Sequence, residues 1–113
     1  LNDGAVVNAN LGTGTLSSHG AATLNGTSGA GLVVVIDGQL RLGAANLLAN
    51  TATVSVNAGA TLLLNGSETV GGLSNSGALA RTQASDTLTA TSYGLGGGSV
   101  TDANLGTGTL NVF

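Results

Sequence analysis

The chain of 113 residues contains no Cys, Pro, Met, Trp or Lys, and its only aromatic residues are Tyr93 and Phe113. Without Cys there are no disulfides, thiolate metal sites or Cys nucleophiles, and the redox compartment is left undetermined. Without Lys the phosphate-gripping lysine of a P-loop is missing. Charged residues make up 6 % of the chain, against about a quarter in an ordinary soluble domain. The two cations, Arg41 and Arg81, lie 40 positions apart and form no basic patch to neutralise nucleic-acid phosphates. No basic segment followed by a long apolar run marks a signal peptide. The absence of Met leads us to expect a processed form or an excerpt of a longer chain. The longest strongly apolar run, 32–36, closes at Asp37 and is far too short to span a bilayer. So few large rings exclude a thick core, and any interior is expected to be thin and repetitive.

What the chain does have is small residues, including 20 Gly, and Val, Leu and Thr recurring throughout. Disordered chains are poor in these aliphatic and β-branched residues, so the sequence reads as ordered. Residues 1–16 (LNDGAVVNANLGTGTL) align without gaps on residues 95–110 (LGGGSVTDANLGTGTL), with 11 of 16 positions identical. The offset is 94, and the octapeptide ANLGTGTL is identical at 9–16 and 103–110. Residues 1–94 therefore read as one long unit and 95–113 as the start of the next.

Within the unit, short alternating apolar patches such as Thr53-Val54-Ser55-Val56 and 61–64 argue for strands. Asn25-Gly26, Asp37-Gly38, 57–59, Asn65-Gly66 and 75–77 separate them with residues that tolerate tight turns. One anchor per patch gives two interleaved series: Val6, Leu24, Leu42, Leu62, Leu79, Val100, and Leu16, Val34, Val54, Leu73, Leu88, Leu110. Each covers 94 residues in five steps, about 19 residues per step, which suits a coil of two or three short strands.

This pattern predicts an all-β fold, a parallel β-solenoid with about five coils per unit, in which each coil pairs with its neighbours along the axis. Lack of Pro agrees, because interior strands need every N–H. An antiparallel sandwich is the rival, since Asn-Gly and Asp-Gly also make hairpins; the long repeat and the missing aromatics favour the solenoid. Val34 is expected to point inward, so that Val34→Asp is far more damaging than His19→Ala.

Residues 40–80 carry four linked pieces, LRLGAANLL at 40–48, VSVNAGATLLLNG at 54–66, ETVGGL at 68–73 and SGAL at 76–79. Together they resemble the autotransporter-associated β-strand repeat of large bacterial surface and secreted proteins. The flanks are similar to looser repeats of the same proteins. The resemblance implies a right-handed parallel β-helix exported across the outer membrane. The transporter barrel, with its longer strands and aromatic girdles, is not in this sequence, and a two-partner-secreted adhesin or another surface filament fits equally.

The chemical candidates are few. His19, in a Gly- and Ser-rich stretch without a fixed acidic neighbour, reads as a solvated turn residue. Solenoid polysaccharide lyases and hydrolases place acids and bases on successive coils, which directs attention to Asp37, Arg41, Glu68, Arg81 and Asp86; salt bridges and turn caps are the simpler account. Asp3, Asp37 and Asp102 adjoin turn residues, where Asp bonds local backbone. The calcium-binding pattern G-G-x-G-x-D fails at 96–102, where Ser99 and Thr101 hold the fourth and sixth positions. The Gly clusters at 12–14 and 94–98 miss G-x-G-x-x-G. Thr-x-Thr occurs at Thr13, Thr51, Thr87 and Thr107 but is absent from 32–42 and 60–66, which argues against a regular ice-binding array.

No catalytic, cofactor-binding or metal residue is assigned, and no cofactor is expected. The leading expectation is a non-enzymatic stalk or filament segment of a bacterial surface or secreted adhesin. A module binding glycan, host protein or ice is the second reading, and a polysaccharide-processing enzyme the third. Expected partners are neighbouring repeat units, with end-to-end or lateral self-association through uncapped strand edges, and a glycan or host-surface ligand; nucleic acid and membrane insertion are not expected.

Overall fold

The structure, a computed structural model, describes residues 1–113. It is all-β, with fifteen strands and no helix. The first coil carries β1 (Val6–Val7) and β2 (Thr15–Ser18), the second β3 (Ala21–Leu24) and β4 (Leu32–Val35), and the third β5 (Gln39–Leu42) and β6 (Thr53–Val56). Three strands form each later coil: β7 (Thr61–Leu64), β8 (Glu68–Thr69) and β9 (Gly72–Asn75); β10 (Ala78–Arg81), β11 (Thr87–Thr89) and β12 (Ser92–Leu95); β13 (Val100–Asp102), β14 (Asn104–Leu105) and β15 (Thr109–Val112).

Every strand pairing is parallel. The first sheet runs β1-β3-β5-β7-β10-β13 and the third β2-β4-β6-β9-β12-β15. Between them lies a narrow second face, built from the bridges Leu11–Ser28–Leu48 and the sheet β8-β11-β14. The molecule is thus a β-solenoid of six coils, and the antiparallel sandwich is excluded. Five steps at about 4.8 Å rise about 24 Å. With extents of 34 × 27 × 24 Å the piece is about as long as it is wide, so a rod requires further coils.

Inward side chains stack as columns. On the third sheet one column is Leu16–Val33–Val54–Leu73–Tyr93–Leu110. On the first sheet Ala22–Leu40–Leu62–Leu79–Thr101 runs beside Val7–Leu24–Leu42–Leu64–Arg81. A single cluster of 21 buried residues results, so the core is one continuous filling between the faces. Ala30, Ala52, Val70 and Ala90, all buried just before the third sheet, keep the bend into it narrow. At the opposite bend Gly4, Gly20, Gly38, Gly59 and Gly98 all have positive φ. Gly38 shows why: its φ is 68°, and a Cβ there would run into the backbone of Gly20 one coil below.

The structure corrects part of the expected phase. Val34 faces outward and is half-buried, whereas Val33 and Val35 are fully buried. Tyr93, not Leu88, continues the column of Leu73, while Leu88 lies on the second face. Val6 and Val100 are exposed, and the remaining anchors of that series divide between two adjacent columns. On the third sheet five steps carry Thr15 to Thr109, the sequence offset of 94. The second face likewise holds Leu11 and Leu105. On the first sheet the column of Val6 ends at Asp102, two residues beyond Val100. An even slip leaves inside and outside unchanged, which is why the fold tolerates it.

Candidate functional site

Asp3, Asp37 and Asp86 lie at bends and Glu68 on the second face, while Arg41, Arg81 and Asp102 stand on strands of the first sheet. At the bend into the first sheet, Asp3 accepts a hydrogen bond from the Ala21 N–H at 2.8 Å, and Asp37 accepts one from the Gly20 N–H at 2.6 Å. The other oxygen of Asp37 lies 3.3 Å from His19 Nδ1, both side chains being exposed. His19 therefore has the acidic neighbour that sequence reading did not find, because Asp37 is 18 positions away and comes beside it only through stacking. The Gly20 N–H, and after it His19, hold the Asp37 carboxyl below its ordinary value.

Glu68 is the buried acid of the molecule's second face. The ladder has no bridge between Leu48 and Glu68, and the chain there turns through Asn46, the one non-glycine residue with positive φ. Glu68 fills the gap with its side chain: Oε1 accepts from the N–H groups of Leu47 at 3.0 Å and Leu48 at 3.1 Å, and Oε2 accepts from Leu47 at 3.1 Å. Burial pushes its carboxyl above the ordinary value, and the N–H groups of Leu48, Leu47 and Asn46 offset part of the rise. These bonds satisfy backbone donors that the missing strand leaves over.

Of the remaining candidates, Asp86 and Arg81 are similarly engaged, whereas Arg41 stands exposed on the outer face of β5. Asp86 accepts from the Gln83 N–H at 3.2 Å and closes the turn after β10. Arg81 donates to the Ala84 carbonyl at 3.3 Å and to Asn104 Oδ1 at 3.1 Å, tying that turn to the next coil. The structure brings His19 and Asp37 together, but gives neither Glu68 nor Asp86 a basic partner. No group of three or more His, Asp or Glu is placed to hold a metal ion.

Several buried polar side chains were not foreseen, among them Tyr93 and Asn75. The Tyr93 hydroxyl accepts from the Ala90 N–H at 2.8 Å and lies within donating distance of the carbonyls of Thr107, at 2.8 Å, and Leu88, at 3.3 Å. Asn75 donates to the Val100 carbonyl at 3.2 Å and accepts from the Gly77 N–H at 3.1 Å. That bend has two residues between Asn75 and Ala78, against four at the bends of the coils on either side. The short bend leaves a shallow open depression of about 380 Å³ walled by Ala58, Gly59, Ser76, Gly77, Gly97 and Gly98 and lacking any charged side chain.

The outer face of the third sheet offers the columns Thr15–Leu32–Thr53–Gly72–Ser92–Thr109 and Ser17–Val34–Ser55–Ser74–Gly94–Asn111. Threonine recurs at three of six levels in the first column and at none in the second, so no flat Thr lattice forms. Comparison of the chain with protein-family models, curated proteins and solved structures returns no match.

Proposed function

We propose that this chain is a structural segment, a run of coils in a stalk or filament of a secreted or surface-exposed bacterial protein, with no chemistry of its own. The observation that carries the reading is the use to which five of the seven charged side chains are put. Asp3, Asp37, Glu68 and Asp86 bond backbone N–H groups, and Arg81 bonds across a turn and to the next coil, so each holds coils or bends in place. The return of equivalent residues to one column after five coils supports it, because such a unit extends by repetition. The resemblance of residues 40–80 to autotransporter-associated repeats supports the bacterial surface assignment. In this role the segment sets distance, at about 24 Å for every five coils.

Low-resolution imaging of the full-length parent tests the reading. A thin uniform fibre is expected, and a compact particle contradicts it. Turnover of a polysaccharide that disappears in Glu68→Gln or Asp86→Asn, in protein that remains folded, would replace the reading with an enzymatic one.

A further inference from the structure

The bend at Ser76-Gly77 is recessed between two longer ones. The turns 57–60 and 96–99 close with hydrogen bonds from the Ala60 N–H to the Asn57 carbonyl at 3.0 Å and from the Ser99 N–H to the Gly96 carbonyl at 3.1 Å. Between them the chain cuts the corner, pressed so close to the coil below that a Cβ on Gly77 would meet the carbonyls of Asn57 and Ala60. The resulting hollow is the one concavity of the surface, and no apolar side chain larger than Val100 lines it. Its volume of about 380 Å³ falls within the range of small-ligand sites, about 300–1,000 Å³. Its walls stand two coil steps, about 10 Å, apart, which leaves the thickness of one ring between them. The hollow lies between levels of the stack, so a further coil beyond 96–99 would leave it open.

Free hydrogen-bonding groups surround it. The N–H groups of Ala58, Gly59, Gly97 and Gly98 donate to no group in the chain, and the hydroxyls of Thr61 and Ser76 belong to the lining. One coil down, Gln39 lies under Thr61, whose N–H donates to the Gly38 carbonyl at 2.8 Å. The hollow therefore opens onto Asp37, Gln39 and Arg41, exposed at alternate positions of the third coil, with His19 beside Asp37. From that coil to the turn 96–99 is three steps, about 14 Å, enough for a short run of linked sugar rings.

We infer that this edge of the solenoid binds a neutral oligosaccharide, one ring seated in the hollow and the linked rings running down the axis across Gln39 to Asp37 and His19. The surface chemistry selects the class. Donors and acceptors are mixed there, and Arg41 offsets Asp37, so the edge favours hydroxyls, which both donate and accept, over an ion of either sign. Walls of Gly and Ala let a ring approach the backbone closely. They also lack the deep apolar pocket that anchors a partner protein's aromatic side chain. Binding of this kind adds to the structural role and does not depend on it.

Titration of the native chain with cellotetraose, xylotetraose, maltotetraose and chitotetraose, followed by amide NMR, tests the inference. At least one should give saturable shifts concentrated at 37–41, 58–61, 76–78 and 97–100. Gly97→Leu fills the hollow from its upper wall without a clash, since a Cβ there meets nothing within 4 Å and φ is not positive; it should weaken binding about tenfold or more. Gln39→Ala should weaken it about threefold, and Thr53→Leu, on the outer face of the third sheet, should leave it unchanged. Absence of saturable shifts with all four sugars overturns the inference. So does native-like binding by folded Gly97→Leu, or an equal response to tetra-aspartate or tetralysine, which would mark a site for charge.

Discussion

The first and last coils carry the same octapeptide, yet Leu16 is 7 % exposed and Leu110 53 % exposed. The difference lies in what stands next to them. Each has a coil on one side only, Val33 beside Leu16 and Tyr93 beside Leu110, but on its other side β2 has Leu1, bonded to Ser17 and His19 and packed against the core, whereas the outer edge of β15 has no neighbour in the structure. Burial in an end coil of this fold is therefore conferred by what lies against its second side, and identical residues differ in energetic weight accordingly. Nearest-neighbour coupling of this kind distinguishes a solenoid from a globule, whose interior is shared by distant segments.

The comparison breaks most sharply at the covering residue. Val33→Asp places a carboxylate in the closed column and should cost about 4 kcal/mol or more, a large part of the stability of a domain this size. Val34→Asp, one position on and pointing outward, should cost about 1 kcal/mol or less. Urea unfolding of the two variants measures the contrast, and equal losses contradict the assigned phase. Next in size, Leu16→Ala should lose about 2–3 kcal/mol and Leu110→Ala less than about 1 kcal/mol. Similar losses would show that the last coil has found a cover.

Glu68→Ala strips the acceptor from two buried N–H groups and should cost about 1–3 kcal/mol. The native carboxyl also gives a pH signature. Its folded value lies above the ordinary 4.5, so the folded state holds the proton more tightly than the unfolded chain does. Stability from this group is greatest below 4.5, declines as pH rises through the raised folded value, and is flat above it. Glu68→Gln should remove that decline, and an unchanged pH profile would show that Glu68 is not its source. The smallest effect belongs to the exposed pair. Asp37, whose carboxyl is held below its ordinary value, contributes above the unfolded value and loses that contribution as pH falls through the folded one. His19→Ala should leave the thermal midpoint unchanged within error; a clear drop would mean that the bend relies on the ion pair.

The long repeat made the coil count legible in the sequence and, with the missing aromatics, the parallel solenoid, because the offset of 94 coincides with whole coils on two of the three faces. The phase of the run 32–36 was not legible: with Leu-Val-Val-Val-Ile every position is apolar, so alternation leaves no trace and only the neighbours Leu16 and Val54 decide that Val33 turns inward. Tyr93 was missed because successive steps on the first and third sheets vary between 17 and 22 residues, which lets a chosen anchor drift to an adjacent face. Glu68 and the His19–Asp37 pair act across about one coil, a separation that no local motif encodes. The second face was the least legible, since isolated bridges at Leu11, Ser28 and Leu48 leave no strand-like run to read.

Spin labels placed pairwise on the outer column test the winding itself: Ser17 with Ser55, with Ser74 and with Asn111, each diluted into unlabelled protein so that only distances within one chain are read. Two, three and five steps of a parallel stack place the backbone positions about 10, 14 and 24 Å apart, so the distances should lengthen in that order. A Ser17–Asn111 distance shorter than Ser17–Ser55 would contradict it.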